Sequence, residues 1–213
     1  MNRYLLTGIC LFVANSLFAQ KNTKESTTLT LNYGSKVTEL MELFRMQNID
    51  YFKITSKDMH LKDYYFLFTV KEYHGEKLTR TDTLLTQDTR EWVSYDKKDT
   101  ALTFQIMAQP KERDSIKFAF NLSKVGFQKV FKKEPVNTYS LRDAINSNGQ
   151  AVKVPLGKAF PLLVYSLPYE DPKQPGYLFY CALTADGTPP EQWGKKFGVR
   201  HLIIIELSIL PKS

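Results

Sequence analysis

Residues Val199 to Leu210 constrain the fold more than any other stretch of the chain. The odd positions Ile203, Ile205, Leu207 and Ile209 are all aliphatic, while the even positions run from Leu202 and Ile204 to Glu206 and Ser208. Side chains alternate between the two faces of a strand, so this pattern describes one face buried throughout and a second buried only over its first half. Such a strand belongs in the interior of a sheet. Its β-branched isoleucines suit that setting, and Pro211 stops it. Polarity at Glu206 and Ser208 predicts that the second half of the outer face meets water. Residues 28–213 are therefore expected to form one cooperative, mainly β domain, with residues 135–138 marking where a subdivision would fall.

Upstream, alternation recurs. Leu29, Leu31 and Tyr33 predict a short strand, broken at Gly34-Ser35. Val37, Leu40, Met41 and Phe44 then follow at i, i+3, i+4, i+7, which predicts a helix over 36–48 lying against a sheet. Tyr51 to Ile54 is a further strand. Tyr64, Phe66, Phe68 and Val70 form the cleanest alternation, turning at His74-Gly75 into a polar edge strand over 77–86. A second hairpin pairs Leu102, Phe104, Ile106 and Ala108 with Ile116, Phe118, Phe120 and Leu122, and Phe127 to Phe131 adds a short strand.

Ser140 to Asp143 reads as the start of a short helix ending at Asn148-Gly149. Val152–Val154 and Ala159–Leu167, apolar on both faces, read as more central strands, and Tyr177–Leu183 as the return of a third hairpin. Thr188-Pro189-Pro190-Glu191 has the form of a capping box opening a helix with Trp193 and Phe197 on one stripe. Consecutive hairpins pair antiparallel. The expectation is an α+β fold, mainly antiparallel β and sandwich-like, with one longer and two short helices. A doubly wound parallel sheet is not expected, because strands and helices do not alternate.

Residues 1–19 follow a different rule. Asn2-Arg3, an apolar run from Leu5 to Val13 and Ser16-Leu17-Phe18-Ala19 have the form of a secretory signal peptide cleaved before Gln20. The alternative is lipid attachment at Cys10. Residues 20–27 read as a flexible lead-in, and no segment is apolar enough for a transmembrane helix. Cleavage removes Arg3 and Cys10, lowering the net charge of +7 by one and leaving Cys181 without an internal disulfide partner. The protein is thus expected outside the cytoplasm, periplasmic or extracellular, with a fold resting on its core alone.

The Phe18-Ala19-Gln20 leader end, the lysine- and tyrosine-rich chain, the single remaining cysteine and the Thr188–Gly198 segment resemble exported proteins of Bacteroidetes. They are similar in particular to a group classed only as a domain of unknown function. That resemblance implies no functional residue.

The chemistry is bounded mostly by exclusion. His60, His74 and His201 fall on a loop, a turn and a strand start with no second histidine or cysteine at i+2 to i+4, and HExxH and CxxC are absent, so no metal is expected. Neither a P-loop, GxGxxG nor GxSxG occurs, and no cofactor is expected. Lys124, Lys129, Lys132 and Lys133 make the densest basic patch, but export argues against nucleic acid. Cys181 with His201 is the one nucleophile–base pair to weigh, set against a thiol packed among Tyr177, Phe179 and Leu183. Trp92, Tyr95 and Tyr169 lie in polar loops, where rings stack on sugars or anchor a partner. These point to a non-catalytic binding or interaction module for a glycan or envelope protein. The alternative is a hydrolase whose site is assembled from residues distant in sequence.

Overall fold

The computed structural model describes residues 25–57, 59–85, 100–111, 114–122, 125–136 and 138–212. The leader, Trp92 and Tyr95 lie outside the described residues. Strands dominate, and every pairing is antiparallel. In chain order they are β1 (Ser26–Tyr33), β2 (Asp50–Ser56), β3 (Tyr64–His74), β4 (Lys77–Leu85), β5 (Leu102–Lys111), β6 (Ser115–Leu122), β7 (Val125–Lys132), β8 (Ser140–Asp143), β9 (Ala151–Pro155), β10 (Ala159–Ser166), β11 (Tyr169–Glu170), β12 (Leu178–Phe179) and β13 (His201–Pro211). Among the described residues three α-helices accompany them: α1 (Thr38–Met46), α2 (Cys181–Ala185) and α3 (Trp193–Phe197). The result is a β-rich α+β fold.

A six-stranded sheet has the order β7-β6-β5-β2-β1-β9, and a five-stranded sheet the order β4-β3-β13-β10-β8. The chain passes between the two sheets repeatedly: β1 and β2 lie in the first, β3 and β4 in the second, β5 to β7 in the first, β8 in the second, β9 in the first, and β10 and β13 in the second. β13 is the middle strand of the five, as its sequence pattern requires. Ile203, Ile205, Leu207 and Ile209 are fully buried in one core with Leu29, Ile54, Phe104 and Phe118 from the six-stranded sheet. The outer face of β13 is covered over its first half by a second core, in which Leu202 and Ile204 pack with Tyr73, Val164, Leu183 and Trp193. The second half differs from expectation. Glu206 is buried rather than wet, because Lys71 of β3 reaches its carboxylate at 2.7 Å.

Five other expectations need correction. β1 begins at Ser26, within the stretch read as lead-in. Ser140–Asp143 is strand β8, because its backbone pairs with β10 and the Leu141 amide donates to Asp50, contacts a local helix signal cannot anticipate. β9, read as central, is an edge strand of the six-stranded sheet among the described residues. Tyr177–Leu183 forms only the two-residue β12 before turning into α2. Finally, α1 does not lie on a sheet with its whole apolar stripe. Phe44 alone is buried, packed on Tyr51, while Val37, Leu40, Leu43 and Met46 are exposed.

α3 forms where expected, but without the capping box. Thr188 bonds Asp186 instead, and its carbonyl accepts the Trp193 indole N–H at 2.9 Å. The helix ends at Gly198, whose left-handed φ of 68° suits glycine. Its register is fixed by Gly194, where a Cβ would stand 2.0 Å from the Gly75 carbonyl oxygen. Only glycine lets α3 close on the β3–β4 turn, and that turn carries His74.

Candidate functional site

β3 and β13 pair in continuous register from His74–His201 to Tyr64–Pro211. On their inner face the row runs Phe66–Ile209, Phe68–Leu207 and Val70–Ile205, then changes character at the strand ends. There Glu72 and His74, two residues apart on one face of β3, meet His201 of β13. A bulge marks the spot: pairing with β4 shifts between Glu72 and Tyr73, and the skipped Thr79 donates its hydroxyl to the Glu72 carbonyl at 3.1 Å.

His201 is 0% exposed and both of its ring nitrogens are engaged. Nε2 lies 3.1 Å from Glu72 Oε1, and Nδ1 lies 2.5 Å from the Tyr139 hydroxyl. The Glu134 amide donates to that hydroxyl oxygen at 3.0 Å. One proton order satisfies every member: the amide donates to Tyr139, Tyr139 to His201, and His201 to the Glu72 carboxylate. The hydrogen bond from His201 holds the Glu72 carboxyl below its ordinary range, against the upward push of burial. Burial pushes the Tyr139 phenol up, so it stays neutral.

His74 stands outside this chain. Its ring stacks on that of His201, centroids 4.4 Å apart at 16°, and its side chain is 45% exposed. Nε2 lies 3.8 Å from Glu72 Oε1 and Nδ1 3.8 Å from Glu134 Oε1, beyond hydrogen-bond reach of either. One ligand atom each from Glu72, His74 and His201 falls within 4.8 Å of the others. In the sequence the three histidines stand far apart, at 60, 74 and 201. The available signal was Glu72-x-His74 on one strand face, and a histidine ending the aliphatic odd row of β13.

A second polar site lies beside the same core. Asp50, at the start of β2, accepts the Tyr33 hydroxyl at 2.9 Å and the Leu141 amide at 2.9 Å, so it ties the two sheets together. Burial pushes its carboxyl up, opposed by these two donors and by the Arg142 charge. Next to it opens a cleft of about 340 Å³ lined by Tyr33, Phe52, Arg142, Asn146, Asn148 and Thr184, among others. Tyr33 is 54% exposed, and its ring meets Phe52 edge-on at 5.3 Å. The Arg142 guanidinium sits over the Tyr180 ring at 4.6 Å, and its buried Nε has no hydrogen-bond partner among the described residues. Asp143 is consumed by its own turn, accepting the Ile145 and Ser147 amides.

Of the other candidates, Tyr169 is half-buried and packs on Phe197 at 5.4 Å and Phe179 at 6.4 Å, which makes it part of the outer core's margin. Cys181 opens α2 instead of lying on a strand, and His201 is committed to Glu72 and Tyr139. In the basic patch, Lys129 approaches Asp82 at 3.8 Å and the Phe131 ring is buried beneath Arg80. No helix among the described residues is long and apolar enough to cross a membrane. What fold and sites define is a class, an antiparallel β-rich α+β protein with a histidine–carboxylate cluster and a separate aromatic cleft. No family model, curated protein or solved structure matches the chain.

Proposed function

We propose that the protein is an exported, non-catalytic binding module whose ligand, a glycan or another envelope component, occupies the cleft at Tyr33 and Arg142. The observation that carries this is the pairing of an exposed ring with a guanidinium whose Nε lacks a partner. A ring face stacks on a sugar, and an Arg guanidinium takes a hydroxyl or carboxylate. The amides of Asn146 and Asn148 line the same cleft and add hydrogen-bonding groups suited to a polar ligand. Export is read from residues 1–19, with the mature chain starting at Gln20. A sandwich of the two sheets is read from ring contacts between them, Phe68 with Phe104 at 5.2 Å and Phe118 with Tyr165 at 5.4 Å.

Affinity electrophoresis through gels containing a polyuronate or a neutral glucan tests the binding reading. Retardation in one gel, lost in Tyr33→Ala and weakened in Arg142→Lys, supports it; free migration in both gels removes it. N-terminal sequencing of the exported protein is expected to begin at Gln20, and an acylated Cys10 would replace that reading with a lipid-anchored one. The hydrolase alternative draws on one observation, the gathering of Glu72, His74, Glu134, Tyr139 and His201 from distant parts of the chain.

A further inference from the structure

We propose that Glu72, His74 and His201 form a binding site for a divalent transition-metal ion, with zinc the best chemical match. Two imidazoles and one carboxylate are a zinc ligand set that leaves a fourth position for water. A tetrahedral ion holds its ligand atoms ~3.4 Å apart, given zinc–ligand distances of ~2.0–2.1 Å. Glu72 Oε1 stands 3.1 Å from His201 Nε2 and 3.8 Å from His74 Nε2, which brackets that spacing.

The arrangement has the parts a metal needs beyond its ligands. A ligating histidine is normally oriented by a partner on its other nitrogen. Tyr139 fills that role for His201, and Glu134 Oε1 stands 3.8 Å from His74 Nδ1. When the ion takes His201 Nε2, the ring proton moves to Nδ1, the Tyr139 O–H turns off the ring, and the Tyr139 oxygen accepts the Nδ1 proton. His201 and Glu72 are buried and held, whereas His74 is half-exposed and free to turn its ring out of the stack onto the ion. The His74 side chain is 45% exposed, so the cluster is open to solvent on that side.

The hydrogen-bond chain from Glu134 to Glu72 is complete without His74. A chain serving stability alone has no use for a second imidazole set against the first, with both its nitrogens turned toward carboxylates at 3.8 Å. A metal site requires it.

The test is calorimetric titration of the chelator-treated protein with zinc, repeated with cobalt(II) followed by its visible absorption. One ion per chain is expected, with a cobalt spectrum of tetrahedral intensity. His74→Ala, a substitution at a half-exposed strand end that leaves the fold intact, is expected to weaken binding at least ~10-fold. Tyr139→Phe, altering a positioning residue, is expected to lose ~10–100-fold. His60→Ala, at an exposed histidine away from the cluster, is expected to bind like the parent. Absence of saturable uptake overturns the proposal. So does a His74→Ala protein that binds zinc as the parent does, since the ion would then sit elsewhere.

Discussion

Glu72 and Asp50 are both carboxylates at strand ends beside the same core, and the fold treats them in opposite ways. Glu72 receives an imidazole N–H, and its acidity is strengthened. Asp50 receives a phenol and a backbone amide, and burial outweighs them, so its acidity is weakened. The number of hydrogen bonds does not explain the contrast, since Asp50 has more of them. The balance against burial does: for Glu72 the His201 hydrogen bond outweighs burial, whereas for Asp50 burial is the largest effect. Arg142 contributes to Asp50 only from a distance, its guanidinium being drawn over the Tyr180 ring.

The largest effect that would break this comparison is the loss of His201. In metal-free buffer, His201→Ala leaves a buried carboxylate without its partner and is expected to cost ~3–5 kcal/mol, read from the urea midpoint. An unchanged midpoint would mean Glu72 depends on its partner no more than Asp50 does. Next come the isosteric changes. Glu72→Gln weakens a charge-assisted bond and is expected to cost ~1.5–3 kcal/mol. Asp50→Asn gives up one of two bonds but relieves a poorly compensated charge, so its cost should stay under ~1 kcal/mol. Equal losses would erase the distinction.

A pH series sharpens it further. Burial holds the folded Asp50 carboxyl above its ordinary value of 3.8, so the folded state holds this proton more tightly than the unfolded chain. Its contribution is fully present below 3.8 and is lost as pH rises through the folded value, by ~1.4 kcal/mol for each unit of displacement. Parent stability should therefore fall relative to Asp50→Asn between pH 3 and neutrality; the opposite slope would place Asp50 with Glu72. The smallest effect concerns Tyr33, whose phenol is pushed up from 10.0 to about 12, by burial first and then by the Asp50 charge. In Asp50→Asn its titration, followed by NMR of ring-labelled tyrosine, should move part of the way back.

How much of this the sequence disclosed depends on whether the deciding partner was local. β13 was legible because its own alternation encodes its place, down to the loss of apolar character at Glu206. That Glu206 is nevertheless dry depends on Lys71, 135 residues away. Ser140–Asp143 looks like a helix start by every local rule, and becomes a strand through β10 and Asp50. The apolar stripe of α1 was read correctly as a helix and wrongly as a buried one, since periodicity reports a face and not what covers it. The histidine cluster was hidden for the same reason. His201 and Glu72 are 129 residues apart, and only the register of β3 on β13 brings them together.

The central position of β13 also dictates the order in which the molecule can be completed. β3 and β10 each pair with this strand, and its contacts with β3 span 135 residues. At a synthesis rate of ~5–20 residues per second, β3 waits ~7–27 s for that partner. Through that interval one side of β3 is held by β4, while the other presents a row of unsatisfied N–H and C=O groups, an open template for a strand from another chain. A chain halted before His201 can still form its local hairpins, β3–β4 and β5–β6–β7, but its central sheet remains open down the middle. Closure is thus a late, long-range step, and such topologies fold slowly. The stretch that most firmly specifies the native state is also the one whose delay leaves the nascent molecule most exposed to pairing with its neighbours.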